Sequence, residues 1–352
     1  MASYTRIERP NQLTPEQLDD YLARGWYRIG QTLMTCRFLV FEDVLRSTIW
    51  TRLDLRQHAL RKGQRKQLAR IRREFDVRIG PLVVDAERES VYQAYRATAR
   101  GERSPTLDHF LYEETDRDLF DTREVSIWRD GVLVAFSWFD VGESTLQSLL
   151  GAFLPEEQRW GLGYASMLLE LEWGLNHGYH YHYSGYIMPG EPAMDYKLRA
   201  GDMQWLDTTG QWHPWESFNP DQTPERALTE ALQAVTQALV ACGIPTTVRD
   251  YAMFEAPAYD PSLSKCMTAP RVAECFPSTH TTSVLFIMYD LDSALYGVTR
   301  ATRATGIVKP PDPNVRPRHV DLFLIGEPIG TFSSIADVVH SLQRRLGAGR
   351  ST

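Results

Sequence analysis

The sequence predicts an α/β chain of the α+β kind in three parts: a basic N-terminal module over residues 1–80, a mixed domain over 81–215 and an additional α/β region over 216–352. Three observations carry this reading. At roughly 150 residues per domain, 352 residues make two or three domains. In the middle of the chain a D-G step joins two β-rich runs, and a strand, a glycine turn, a helical stretch and another strand follow. Beyond a Trp- and Pro-rich stretch, a second set of helix and strand patterns begins.

The elements follow in chain order. Thr14-Pro15-Glu16-Gln17 starts a helix, with Pro at its first position and Gln at the capping-box position; it runs to Ala23 and stops at Gly25. Strand-like pieces cover Trp26–Leu33 and Arg37–Phe41, and a basic segment runs from Arg52 to Arg78. Ala86–Ala99 predicts a helix with Val91, Tyr92 and Tyr95 on one side. Glu124–Trp128 and Val132–Phe139 predict a hairpin around Asp130-Gly131, and Leu146–Leu154 predicts another strand. Gly163–His177 has helical apolar spacing through Met167, Leu168, Leu171 and Leu175 and ends at Gly178. His180–Ile187 reads as an aromatic strand, Met188–Pro192 as a loop, and Trp205–Pro224 as a linker or long loop. The third region opens with a helix over Pro224–Ala241. Strands follow over Ser283–Tyr289 and Val320–Ile325, then a Ser-capped helix over Ser333–Leu346; Lys309–Pro317 is a Pro-rich link.

Composition narrows the function classes. Hydrophobic residues make up 43% and charged residues 24%, the balance of a globular protein. There is no run of about 18 apolar residues, as a membrane-spanning helix requires. The start, MASYTRIERP, has no apolar core of a secretory signal. The cysteines Cys36, Cys242, Cys266 and Cys275 have no C-x-x-C spacing, so neither a zinc knuckle nor a disulfide framework is expected, and a reducing cytoplasm is. The net charge of −7 hides an asymmetry: residues 1–80 carry 16 Arg/Lys against 9 Asp/Glu, the remainder 22 against 36. A basic segment on an acidic protein points to a local polyanion contact.

Three constellations can carry chemistry. Gln158-Arg159-Trp160-Gly161-Leu162-Gly163 lies between a strand and a helix, where glycines permit close backbone approach and the helix start offers N–H groups to an anion. Its Q-x-x-G-x-G pattern resembles the donor-binding motif of the GNAT acyltransferases. Residues 56–73 hold eight Arg/Lys and no acid; such a run is either a solvated helix face or a phosphate-binding one. Tyr181–Ile187 with Pro192–Lys197 places aromatic side chains and a Tyr196-Lys197 pair around a loop, a pocket wall or an ordinary aromatic core strand. His177, His180 and His182 lack a carboxylate or cysteine at ligand spacing, and no Ser-His-Asp or Cys-His arrangement is present.

Taken together these residues resemble the aminoacyl-tRNA–protein transferases, of the arginyl and bacterial leucyl types. Gly25-Trp26-Tyr27-Arg28-Ile29-Gly30 is similar to the family's early G-F/W-R-R-x-G element, and Leu60–Arg70 to its basic S-R-S-Q-K/R-R segment. Glu124–Asp140 resembles its hairpin, Gly161-Leu162-Gly163 stands at its S-L-G, and Ser184–Ile187 with Met194-Asp195-Tyr196-Lys197 resembles its L-G-Y-x-I and M-x-Y-K pair. The resemblance covers residues 1–215. The chain departs from the family at the N-terminal cysteine cluster: Phe38, Phe41 and Val44 stand at the C-x-x-C-x-x-C positions, and no early cysteine lies near Ala2-Ser3-Tyr4. An apolar plug in place of a cluster, and no metal or iron–sulfur group, is the expectation. Leu150 stands where the family has a tyrosine.

The resemblance implies a GNAT-like domain that moves an amino acid, arginine or leucine, from charged tRNA to the α-amine of a protein or peptide, with aminoacyl-tRNA as co-substrate and no cofactor. An aminoacyl ester is already activated, so the enzyme must orient a neutral amine and stabilise the oxyanion. Gly161, Gly163, Tyr196 and Lys197 are the catalytic candidates. Arg28, Arg61, Lys62, Gln64, Arg65, Lys66, Ser148, Gly185, Tyr186 and Met194, again with Tyr196 and Lys197, are the tRNA- or substrate-binding candidates. Two other readings fit the same residues: a GNAT-type acetyl-CoA-dependent N-acyltransferase, against which Glu156 and Glu157 beside the turn would repel a pyrophosphate, and a non-catalytic tRNA- or protein-binding homologue.

Overall fold

The computed structural model describes residues 3–113, 115–277, 281–309, 312 and 315–348. The chain divides into two compact units, each discontinuous in sequence: residues 7–35 with 48–218, and residues 1–6 with 36–47 and 219–352. The units cut the chain differently from the expected boundaries at 80 and 215. Ile49–Asp54 (β1) is the reason, because it hydrogen-bonds into the middle of the larger sheet and draws the basic segment into the same body.

The larger unit is built on eight strands: β1, Asp76–Pro81 (β2), Thr122–Arg129 (β3), Val132–Val141 (β4), Thr145–Phe153 (β5), Tyr181–Ile187 (β6), Met203–Leu206 (β7) and Trp212–Pro214 (β8). Their order is β8-β7-β1-β6-β5-β4-β3-β2, antiparallel throughout except for β5 and β6. The expected hairpin is present as β3–β4, with Asp130 and Gly131 both at positive φ. Trp205–Pro224, expected as a linker or loop, instead supplies most of the edge hairpin β7–β8; its Trp and Pro content hid two short strands. Trp26–Leu33, read as one strand, is two short ones, Tyr27–Ile29 and Thr32–Cys36, turned at Gly30.

Helices cover this sheet. Pro15–Ala23 (α1) carries the capping box read from Thr14 and Gln17. Lys62–Glu74 (α2) is the core of the basic segment, followed by Ala86–Arg96 (α3), Leu107–Tyr112 (α4) and Leu162–His177 (α5). α2 and α5 share one core with Leu146, Val125, Phe139 and Leu53, through Leu68, Ile71, Leu168 and Leu171. α5 ends at Gly178 in the left-handed conformation, as its sequence indicates. The run β4–β5–α5–β6, with the parallel pair β5–β6 flanking the helix, is the hairpin, strand, helix and strand order read from the sequence.

The smaller unit is a five-stranded antiparallel sheet, Thr246–Asp250, Arg271–Cys275, Ser283–Asp290, Leu295–Val308 and Arg318–Phe332, in sequence order. Pro224–Ala241 (α6) and Ile335–Ala348 (α7) pack together on it through Leu228, Leu232, Val235, Leu239, Val338 and Leu342. The last two strands are far longer than the Val320–Ile325 pattern suggested; of the Pro-rich link, residues 310, 311, 313 and 314 lie outside the described residues, as does Ala2. Phe38 is fully buried in this core, edge-on to Tyr4 at 5.1 Å. Phe41 is only partly buried and Val44 is 44% exposed, so of the three cluster positions only Phe38 acts as an apolar plug. Among the described residues no helix is long and apolar enough to cross a membrane.

Candidate active site

β5 and β6 pair only at Thr145–Tyr181, Leu146–His182 and Gln147–Tyr183. At that point both strands shift register, β5 between Ser148 and Leu150 and β6 between Tyr183 and Gly185. A bulge bends the strand that carries it. The two bulges lie at the same level, where the pairing of β5 with β6 ends and the strands part into a cleft, and the predicted Ser148, Gly185 and Tyr186 follow directly beyond that point. Gly185 has φ +81°, a conformation that disfavours any other residue. The neighbouring Thr51 hydroxyl donates to the Gly185 carbonyl at 2.9 Å and lies 2.9 Å from the Ser184 hydroxyl.

The segment after β6, Pro192–Ala200, runs as a 3-10 helix and carries Met194, Tyr196 and Lys197. The Lys197 ammonium donates to the Tyr186 carbonyl at 2.9 Å and lies 5.7 Å from the Tyr186 ring centre. Burial of this ammonium, helped by the Arg103 cation, lowers its pKa from 10.5 to about 8. Tyr196 is 36% exposed, yet burial around its hydroxyl, with Tyr95 and Glu170 adding to it, pushes it up to about 12. It is therefore a hydrogen-bond donor at neutral pH. Met194 is partly buried and only closes the helical turn, its N–H donating to the Glu191 carbonyl. Tyr186 belongs to an aromatic cluster with Trp50 (5.4 Å) and Tyr27 (5.9 Å). Beneath the cleft, Glu170 of α5 and His182 of β6 form a fully buried pair at 3.3 Å, which sequence reasoning missed. Among the described residues no group of three or more His, Cys, Asp and Glu is placed to hold a metal.

The glycine turn stands at one end of this assembly. Gly161 is the N-cap of α5 at φ +65°, and no side chain caps the helix, leaving the first-turn N–H groups of Leu162, Gly163 and Tyr164 to an incoming group. The Tyr164 hydroxyl donates to the Arg199 carbonyl at 2.9 Å, which fixes the Tyr196–Lys197 segment to the start of α5.

The basic segment divides into two kinds of residue. Lys62 and Lys66 are exposed on α2, and Arg70, one turn further on, lies 4.3 Å over Trp160. Arg129 and Arg159 also approach Trp160, at 5.3 and 5.6 Å, so the basic face of α2 continues to the edge of the glycine turn. Arg61 pairs with Asp202 at 2.6 Å and Arg65 donates to the Leu60 carbonyl, both at the surface. Gln64 is different, and the expectation that it contacts substrate or tRNA is corrected. It is 5% exposed, its amide donates to the Ala200 and Arg199 carbonyls, and its oxygen accepts from the Arg61 N–H. Arg28 is corrected in the same way. It is 4% exposed and is consumed by Asp140 (2.9 Å), Thr122 and the Gly30 and Leu111 carbonyls. Leu150, opposite Trp138 on β4, is a partly buried packing residue.

Residues 87–207, from α3 through β7, match the family model described as arginine-tRNA-protein transferase, C terminus. This region is similar to the aminoacyl-tRNA–protein transferases. An aspartate/glutamate leucyltransferase of Leptospira interrogans is 22% identical over 200 residues, covering 53% of this chain and 73% of the relative. One from Acinetobacter baumannii is 31% identical over 121 residues, 34% of this chain and 43% of the relative. Among solved structures, L-PGS from Bacillus licheniformis overlaps 65% of this chain and 58% of its own at 16% identity and a TM-score of 0.34. A GCN5-related N-acetyltransferase from Kribbella flavida overlaps 48% and 55% at 18% identity and a TM-score of 0.25.

Proposed function

We propose that the protein transfers an amino acid, leucine or arginine, from charged tRNA to the α-amine of a protein or peptide N-terminus in the cytoplasm, without a resident cofactor. The observation that carries this reading is the continuity of three features: the exposed cations of α2, the uncapped start of α5 at Gly161 and the cleft between β5 and β6. A polyanion on α2 is positioned to deliver its end to the glycine turn.

In the reaction proposed, the amine nitrogen bonds to the ester carbonyl carbon, the bond from that carbon to the ribose oxygen breaks, and one amine proton ends on the departing oxygen. Gly163 and its neighbours are the N–H donors offered to the oxyanion. Lys197 is suited to carry the proton, because its lowered pKa leaves a fraction of it neutral at pH 7. Tyr196 is suited to donate a hydrogen bond to the ester or its leaving oxygen. The test is incubation of the protein with tRNA charged with labelled leucine or arginine and peptides bearing free or blocked N-termini. Label on free-amine peptides alone supports the reading. No transfer from any charged tRNA, together with saturable acetyl-CoA binding, replaces it with acetyl transfer.

A further inference from the structure

Positive charge in the smaller unit is concentrated in one place. Residues 300–320 carry five Arg/Lys against a single acid, Asp312, while the rest of residues 219–352 carries seven against twelve. The segment opens with R-A-T written twice, Arg300-Ala301-Thr302-Arg303-Ala304-Thr305. The fold carries it beyond the body of the sheet. The strand Ser283–Asp290 pairs with Leu295–Val308 only as far as Ser283–Thr302. From Ala304 to Val308 the sole strand partner among the described residues is Arg318 to Leu322, which leaves a two-stranded ribbon roughly 17 Å long. Two strands without a third are marginal in water, so this ribbon gains from any surface that rests on it.

The exposed cations stand at its base and its tip. Alternation puts Arg300 on the face of Val308, and Val308 is directly opposite Arg318, so Arg300 and Arg318 mark the two ends of one face. Lys309 and Arg316 are exposed where the two strands end. Arg300, Lys309 and Arg316 have no acidic partner among the described residues. Arg303 differs, because it faces Glu274 at 3.5 Å and Asp321 at 3.9 Å. Thr302 and Thr305 add exposed hydroxyls. The apolar side chains between the cations lie low. A Cβ on Gly306 would stand 2.8 Å from Leu322 Cδ1 and 3.3 Å from Val320 Cγ2, so both side chains close over the glycine. Arginine, lysine and threonine around small residues are the donors that phosphates take. A second copy of the ribbon would set cation against cation. A membrane surface is met by cations together with Trp or Phe anchors, and residues 300–320 hold no aromatic residue.

We propose that this ribbon is a phosphate-binding arm for double-stranded RNA and takes the body of the donor tRNA. A-form RNA presents a wide, shallow groove between two rows of phosphates, which a low ribbon with cations at both ends can straddle. The choice of tRNA rests on the transfer reading above; the phosphate assignment rests on the ribbon alone. The test titrates the full chain with uncharged tRNA at several salt concentrations, native against the triple variant Arg300→Glu, Lys309→Glu, Arg316→Glu. Each phosphate contact contributes about 0.7–0.9 to the salt slope, so the variant should bind about tenfold or more weakly at about 0.1 M salt, with the slope reduced by about two to three. Should the variant fail to fold, acylation of Lys309 in the native protein decides: tRNA and a short RNA duplex should both protect it. Unchanged affinity and slope in the folded variant, or Lys309 labelled equally with and without tRNA, overturns the proposal. So does protection by tRNA without protection by the duplex. Vesicles of phosphatidylglycerol and phosphatidylcholine that protect Lys309 where tRNA does not would make the ribbon a membrane contact instead. Labelled transfer from charged tRNA, run separately, distinguishes the readings. Transfer with tRNA affinity unchanged in the variant removes only the arm, and weakened tRNA binding without transfer in the native protein removes only the reaction.

Discussion

Gln64 on α2 donates its side-chain amide to the Ala200 carbonyl at 2.7 Å, joining the basic helix to the end of the segment that carries Tyr196 and Lys197. A residue from the most polar stretch of the sequence is thus a fastener of the cleft. Its amide also reaches the Arg199 carbonyl at 3.1 Å and its oxygen takes the Arg61 N–H at 2.7 Å, so little of its capacity is left for a ligand.

The first prediction follows from that bond. Gln64→Leu strands the Ala200 carbonyl and the Arg61 N–H in a buried setting, at a cost of about 1–3 kcal/mol. Urea denaturation should show the loss. Transfer should fall because Lys197 is released, while the salt dependence of tRNA binding stays as in the native protein. A flatter salt slope would mean that Gln64 touches phosphate after all.

Arg28 gives the second. It was a binding candidate by its place in the early motif, but it lies in the interior against Asp140, with both side chains almost fully buried. Removing one member of a buried pair leaves an uncompensated charge and costs about 3–5 kcal/mol. Arg28→Met should therefore lower the unfolding midpoint sharply. Arg28→Met together with Asp140→Leu should recover part of the loss, a rescue that a tRNA-contact role would not produce.

These two residues show what the sequence can and cannot tell. The order hairpin, strand, glycine turn, helix, strand was legible because each piece has its own local signal: Asp130-Gly131 for the turn, Gly161 and Gly178 at the ends of α5, apolar spacing between them. The cleft was partly legible, since Gly185, Tyr186 and Lys197 do meet. What could not be read is which polar residues turn inward. Arg28 and Gln64 look like surface chemistry in one dimension, and only long-range partners, Asp140 and Ala200, show them as interior. The position of β1 beside β6, 127 or more residues later in the chain, has no local signal either, so the domain boundary at 80 fell inside the larger unit. The edge hairpin β7–β8 was hidden because Trp and Pro are common in loops as well as at sheet edges.

The third prediction concerns the cations that remain at the surface. Lys62 and Lys66 are one turn apart on the exposed side of α2 and have no acidic partner among the described residues. Each phosphate contact contributes about 0.7–0.9 to the slope of log binding constant against log salt. Lys62→Glu with Lys66→Glu should weaken tRNA binding and reduce that slope by between one and two, with the fold intact, since exposed charges add only about 0–1 kcal/mol per pair. Extending the change to Arg61 and Arg65 should add less, because these two already bond Asp202 and the Leu60 carbonyl. Unchanged affinity and slope in the folded double variant would make α2 a solvated face.

The last prediction concerns Lys197 and has two readouts with opposite dependence on the side chain. Its pKa is lowered from 10.5 to about 8, so at pH 7 roughly a tenth of it is neutral, and that fraction rises through pH 8. If the neutral form takes the proton from the attacking amine, single-turnover transfer should rise with pH to a plateau above about 8. The measurement needs a weakly basic acceptor amine that is already neutral at pH 7, because an ordinary α-amine titrates at about 7.7–8.0 and would mimic the profile. Lys197→Met should remove the limb and slow transfer. Stability should move the other way. Between about pH 8 and 10.5 the unfolded chain binds the proton that the folded one releases, so native stability rises across that window as pH rises. Below pH 8 the folded protein holds the full penalty of a buried ammonium, offset in part by its bond to the Tyr186 carbonyl. Lys197→Met should therefore melt higher than the native protein at pH 7, and the advantage should shrink above pH 8. A variant that is slower, more stable at pH 7 and flat in its pH–rate profile identifies Lys197 as a proton carrier. A variant that is slower with the native pH profile retained limits Lys197 to holding Tyr186 in place.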